Sequence, residues 1–304
     1  MLRNPLLHVQ KTNRGRGIDM KRYKDYVDVD FQEKLVNLDT GIRMAYYEFG
    51  DEDGAPLVLL HGVTDGCVSW TQLIPGLTAC GYHLYIMEYR GNGMTDKPDM
   101  GETGYTAELI ASDVLNLMDK IGLQKTYLAG HSYGSMISQV LAAEAPERFP
   151  KCILINTGTE CKGGIIDFAR NGDGNFRGMY AYEGYFPADF CEEWMDCRNE
   201  DESFRTAVIE HLKQMPVVAF QNLINGLANF DSSGFLKNIT SKVLVVWSTE
   251  DEVFPAEAQA KVKAGLTSCD VTYIDVEGAS HGSFWDSKAR AEEYVGIIDG
   301  FLKK

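Results

Sequence analysis

No Cys-x-x-Cys pair occurs in this sequence, and its seven cysteines (67, 80, 152, 161, 191, 197 and 269) are odd in number and scattered. That spacing argues against a disulfide framework or a structural zinc site and suits reduced thiols of a cytoplasmic protein. Long apolar runs are missing too. The longest, such as Pro56 to Leu60 and Val243 to Trp247, are strand-sized, far short of the ~20 residues a membrane span needs. Near the start only Pro5-Leu6-Leu7 is apolar before polar residues resume, so no secretory signal is expected. Basic residues are scarce, 29 Lys and Arg against 44 Asp and Glu, for a formal charge of −15. A nucleic-acid partner is therefore not expected, because phosphate binding rests mostly on Lys and Arg. Internal repeats and low-complexity tracts are absent as well.

The basic residues that do occur cluster early: the first 24 residues hold seven Lys and Arg against one Asp. Residues 1–26 have no clear amphipathic period and read as an N-terminal extension. Beyond them strands and helices alternate. Arg43–Phe49 alternates in strand fashion, and Leu57–Leu60 is a continuous apolar run, as a strand buried on both faces should be. Val68 to Cys80 reads as a helix, His83–Met87 as a strand, Tyr105–Ile121 as a helix closed by Gly122, and Tyr127–Ala129 as a strand. A helix over Ser135–Ala145 and a strand over Cys152–Asn156 follow, and the pattern resumes with a strand over Val243–Trp247, a helix over 256–265, a strand over Val271–Val276 and a helix over 287–302. Such alternation builds a mostly parallel sheet flanked by helices, an α/β fold.

Between about 160 and 236 the alternation stops. This stretch reads as helical throughout and carries 12 of the 33 Phe, Tyr and Trp. An insertion after a strand, at the end of the sheet where α/β sites lie, suggests a helical lid. Its aromatics, among them Tyr180, Tyr182, Phe186 and Trp194, are expected to contribute to a largely apolar substrate pocket. The expected division is an extension 1–26, a core of 27–159 and 237–304, and a lid 160–236.

The strongest chemical signal is Gly130-His131-Ser132-Tyr133-Gly134, between an apolar strand and a helix. That context is what a Gly-x-Ser-x-Gly elbow requires: a sharp turn lifts the serine hydroxyl clear, and the helix N-terminus faces the oxyanion that forms. A serine needs a base. Of the six histidines, His281 lies in a loop between the last strand and last helix, where it can lean over the carboxyl edge of the sheet. His61 and His131 read as packing and backbone-supporting groups. A carboxylate must then orient the imidazole, and Asp251 stands in a loop after the strand ending at Trp247, four residues before Pro255.

These landmarks together resemble the α/β-hydrolase superfamily, in its lid-bearing serine hydrolase and esterase branch. The likeness runs from about residue 36 onward and includes His61-Gly62, the Tyr89-Arg90-Gly91-Asn92-Gly93-Met94-Thr95 loop, the elbow, Asp251-x-x-x-Pro255 and Gly278-x-x-His281, in the family's order. The resemblance implies about eight strands, with the lid inserted after the sixth. It implies Ser132 as nucleophile, His281 as base and Asp251 as acid, with the backbone N–H groups of Val63 and Tyr133 as oxyanion donors. Some family members carry the acid after the sixth strand, where this chain offers Glu160. Glu88 stands where relatives usually have Asp, and Val63-Thr64 lacks the proline of epoxide hydrolases. A serine nucleophile disfavours the Asp-nucleophile dehalogenases and epoxide hydrolases of this fold.

The expectation is a cytoplasmic serine hydrolase, with no cofactor and no metal, acting on a carboxylic ester of a small, partly apolar molecule through an acyl-enzyme. A lactonase, thioesterase, amidase or C–C bond hydrolase would use the same triad. A non-catalytic ligand receptor on this scaffold is the alternative of another class. The partner is a small-molecule substrate, and nothing in the sequence speaks to oligomeric state.

Overall fold

Leu57, Val58, Leu59 and Leu60 are all completely buried, which a strand achieves only when both faces of its sheet are covered. The period of two divides them. Val58 and Leu60 join one core with Ile110, Val114 and Ile137, while Leu57 and Leu59 join the other with Leu77, Tyr294 and Ile298. The computed structural model describes residues 27, 29–197 and 199–304. The extension expected over 1–26 lies outside the described residues.

Eight strands form the main sheet: β1 (Lys34–Asn37), β2 (Arg43–Phe49), β3 (Ala55–Leu60), β4 (Tyr82–Glu88), β5 (Tyr127–His131), β6 (Lys151–Ile155), β7 (Lys242–Glu250) and β8 (Val271–Ser280). Their order across the sheet is β1-β2-β4-β3-β5-β6-β7-β8. β2 pairs antiparallel with β1 and β4, and every later pairing is parallel. The flanking helices are α1 (Ile74–Ala79), α2 (Ala107–Lys120), α3 (Tyr133–Glu144), α8 (Ala256–Gly265) and α9 (Lys288–Leu302), with α4 (Gly164–Asn171), α5 (Ala188–Met195), α6 (Glu202–Lys213) and α7 (Val217–Ala228) between β6 and β7. The C-terminal ends of β3, β5, β6, β7 and β8 lie at one edge, where loops can converge on a common point.

Two local expectations need correction, and one strand had no expectation at all. The helix expected over Val68–Cys80 is broken: a 3₁₀ turn at Cys67–Trp70 stops, and α1 starts afresh at Ile74. Pro75 supplies no backbone N–H and fits only the first turn of a helix. The stretch 160–236 is not helical throughout. Gly172–Asp173 pairs antiparallel with Phe176–Arg177, and Glu160 bridges Asp231. The short strand β1 had no assignment in the sequence, because four residues with one apolar alternation carry little signal.

Arg90, in the loop after β4, meets Asp113 of α2 in a two-pronged pair, Nε to Oδ2 at 2.6 Å and Nη2 to Oδ1 at 2.7 Å. Both side chains are almost wholly buried. Removing one partner strands the other charge in the core, so Asp113→Ala is expected to cost ~3–5 kcal/mol of unfolding free energy. Chemical denaturation of the variant checks this, and a loss under 1 kcal/mol would show the pair to be dispensable.

Candidate active site

Ser132 sits between β5 and α3 with φ 53° and ψ −121°, a backbone region that non-glycine residues occupy only when their surroundings compel it. The flanking glycines show the compulsion. A Cβ on Gly130 would lie 2.3 Å from the carbonyl oxygen of Gly134, and one on Gly134 would lie 2.2 Å from that of Leu60. Only bare backbone lets the turn nest against β3. Ser135 and Met136 return their amides to the Ser132 carbonyl, and Tyr133, the first residue of α3, belongs to the turn whose N–H groups the helix itself does not use.

His281 follows β8 and reaches back to this serine. Its Nε2 is 2.9 Å from Ser132 Oγ, and its Nδ1 is 2.9 Å from Asp251 Oδ1. Facing a carboxylate, Nδ1 carries the proton and donates it, which leaves Nε2 as the acceptor for the serine hydroxyl. Burial works against the imidazolium. The Asp251 charge and hydrogen bond outweigh it, and the His281 pKa is raised above the ordinary 6.5. Asp251 lies at the end of β7, and the amides of Val253 and Phe254 donate to its Oδ1 at 2.8 and 2.9 Å. Burial alone would raise its pKa; the charge and hydrogen bond of His281 and these two amides lower it instead.

The structure thus brings Ser132, Asp251 and His281 together, with His281 linking the other two. Glu160 is elsewhere. It pairs with Lys162 and Lys261, each at 2.7 Å, and these hydrogen bonds hold its carboxyl down to about 2.

Beside the serine is a cavity of about 140 Å³. Val63 and Thr64 of the loop after β3, His131, Ser132, Val253, His281 and Trp285 line it from the core, and Ile165, Trp194, Met195 and Leu227 from the insertion. Trp194 also donates its indole N–H to Thr64 Oγ1 at 2.8 Å. Of the four aromatics expected in the pocket, Trp194 alone is in its wall. Tyr180 is 60% exposed, while Phe186 and Tyr182 pack on Phe190 inside the insertion. A seam of stacked rings there, Phe176 on Phe190 on Phe186, gives the insertion its own core, and that core consumed the aromatics.

A family model described as the alpha/beta hydrolase fold matches residues 55–288. The chain belongs to that family. Epoxide hydrolase 4 of Mus musculus is 25% identical over 293 residues, covering 88% of this chain and 78% of the relative. Lipase 3 of a Moraxella species is also 25% identical, over 90% of this chain and 87% of its own. The crystal structure of a hydrolase from Pseudomonas aeruginosa superposes with a TM-score of 0.74 at 18% identity, over 90% of this chain and 99% of that one.

Three contributors to this α/β-hydrolase site escaped sequence reasoning. Asn156, at φ 48° after β6, donates Nδ2 to the carbonyls of His281 at 3.0 Å and Ser280 at 3.3 Å, and its Oδ1 accepts from the Ser248 amide. It ties the histidine loop to the sheet. Asp65 is buried in the loop after β3, accepts the Gly62 amide at 3.2 Å, and is pushed up to about 6 by that burial. Tyr89 gives its hydroxyl to the Gly62 carbonyl and stacks on His61 at 4.1 Å. Asn156 and Asp65 stand in no spacing that marks them, and Tyr89 is marked only as part of the Tyr89–Thr95 loop, with no role of its own. Among the described residues no helix is long and apolar enough to cross a membrane, and no group of three His, Cys, Asp or Glu could hold a metal ion.

Proposed function

We propose that this α/β-hydrolase is a serine hydrolase cleaving a carboxylic ester of a small, partly apolar molecule through an acyl-enzyme. The observation that carries the reading is the continuous relay Ser132–His281–Asp251, with both contacts at 2.9 Å and the serine open to a cavity. Ser132 Oγ attacks the ester carbonyl as His281 Nε2 takes its proton. The tetrahedral oxyanion forms against the backbone N–H groups of Val63 and Tyr133, and Asp251 steadies the imidazolium. One such amide donor contributes ~3 kcal/mol. Collapse expels the alcohol, which takes the proton back from His281, and a water activated by the same imidazole releases the acid. Nucleophile, base and charge all come from side chains and amides of this chain.

The insertion 160–236 acts as a lid over a core of 27–159 and 237–304. Trp194 on Thr64 is its contact with the oxyanion loop.

Labelling by a fluorophosphonate, read by intact mass, tests the nucleophile. Turnover of an ester panel beside a lactone, a thioester and a vinylogous diketone tests the bond. Folded protein whose Ser132 never labels would sink the reading and favour a ligand receptor.

The base must be neutral to act. Because the His281 pKa is raised above 6.5, kcat/KM should climb with pH through an apparent pKa on that upper side. The Asp251→Asn variant, lacking the charge that raises it, should show the same limb at lower pH. A limb that does not move in the variant would detach the titration from this pair.

A further inference from the structure

The cavity walls narrow the class of ester, on the reading that Ser132 is the nucleophile. No Lys or Arg is among the described residues lining them. Four carboxylates from different parts of the chain are: Asp65 after β3, Asp196 after α5, Glu252 after β7 and Asp286 before α9. Among the described residues, neutral donors hold Asp65, Glu252 and Asp286. The Gly62 amide serves Asp65; the His281 amide, at 3.4 Å, serves Glu252; the Ser280 amide and hydroxyl, at 2.9 and 2.6 Å, serve Asp286. Arg205 lies near Cys197 but gives its guanidinium to the Asn199 carbonyl and does not line the cavity. Neutral donors orient a carboxylate without cancelling its field, and in a walled site that field is weakly screened.

A second observation is independent of these charges. His131 also lines the cavity and is 1% exposed. Its Nε2 is 2.8 Å from the His281 carbonyl and therefore carries the proton. Nδ1 is left as a buried lone pair with no partner among the described residues. Burial holds this imidazole neutral, with its pKa lowered to about 3. An unmet acceptor calls for a donor. Trp194 and Trp285 add two indole rings, which attract cations by their faces.

We infer that the cavity selects esters bearing a protonated amine, whose N–H groups meet the carboxylates of Asp65, Glu252 and Asp286 and the free lone pair of His131. Esters carrying a second carboxylate are repelled by the same walls.

Two arms test this on the full chain. The first measures binding without turnover: hexylammonium should raise Tm, and hexanoate at the same concentration should not. The selectivity should fade in Asp65→Asn combined with Glu252→Gln. Its survival in that variant would trace it to the acidic surface at large and overturn the proposal. Equal or greater stabilisation by hexanoate would overturn it too. The second arm compares kcat/KM for methyl 6-aminohexanoate, methyl heptanoate and monomethyl adipate, which differ chiefly in end-group charge. The expected order is amine, neutral, acid, with about tenfold or more between the extremes at low salt and a smaller gap at high salt. A flat or reversed order overturns the proposal. Selective binding with no turnover of any ester would instead support the charge preference and fail the ester reading, so the two failures are distinct.

Discussion

Ser132→Ala is expected to lower kcat for ester hydrolysis on the order of 10⁶-fold, the scale reached when the nucleophile of a serine triad is removed. The protein should fold as before. The substitution removes one oxygen that faces a cavity, and the turn is held by Gly130 and Gly134 against β3 rather than by the serine side chain. Alanine at φ 53° is as strained as serine, so Tm should change little. Progress curves on purified variant, checked for wild-type carry-over by fluorophosphonate labelling, give the number. Retention of a tenth of the wild-type rate would end the serine mechanism. His281→Ala should be about as damaging, because members of one relay do not contribute additively.

Asp251→Asn is the second large effect, expected at ~10⁴-fold in kcat by analogy with a triad Asp changed to Asn. The amides of Val253 and Phe254 and the Nδ1 proton of His281 all converge on one oxygen, Oδ1. An asparagine that keeps its oxygen there satisfies the amides but loses the charge that stabilises the imidazolium. One that turns its NH₂ toward them sets donor against donor and reverses the histidine tautomer. Either way the proton transfer suffers. The other carboxylate oxygen, Oδ2, is buried without a partner among the described residues, so a retained oxygen at Oδ1 also buries an unsatisfied NH₂, costing ~1–3 kcal/mol of stability. Glu160→Gln should cost less than tenfold, since that residue only joins Lys162 and Lys261. Both variants are measured on one ester at one pH, and the reverse ranking would break the assignment.

What could be read in the sequence was whatever repeats at short range. The alternation of Arg43–Phe49, the apolar run at Leu57–Leu60 and the elbow glycines each declare themselves within a few residues, and β2, β3 and the turn into α3 are where they point. Chain order and loop position then picked out His281 and Asp251. The competition between Asp251 and Glu160 was not legible, because only folding shows that Lys261, a hundred residues on, neutralises the latter. Asn156 and Asp65 were hidden for the same reason: an Asn or Asp in a loop is ordinary until its partners arrive from elsewhere in the chain. The aromatics of the insertion misled for a physical cause. Four short helices with little backbone pairing need a dense seam of rings to hold together, and Phe186 and Tyr182 serve that seam before any substrate.

The histidine loop is gripped in an unusual place for a residue so exposed to chemistry. Asn156 and His131 both bind the carbonyl oxygen of His281, at 3.0 and 2.8 Å, and the Glu252 carboxylate takes its amide. The main chain is anchored on both sides, while the ring's own hydrogen bonds among the described residues run to Ser132 Oγ, with which it trades a proton, and to Asp251 Oδ1, which orients it. Position 281 is in this sense a socket whose fittings do not depend on the imidazole that occupies it. Between one proton transfer and the next the ring can tilt by fractions of an ångström, from the serine toward a leaving group or an incoming water, without the loop having to follow.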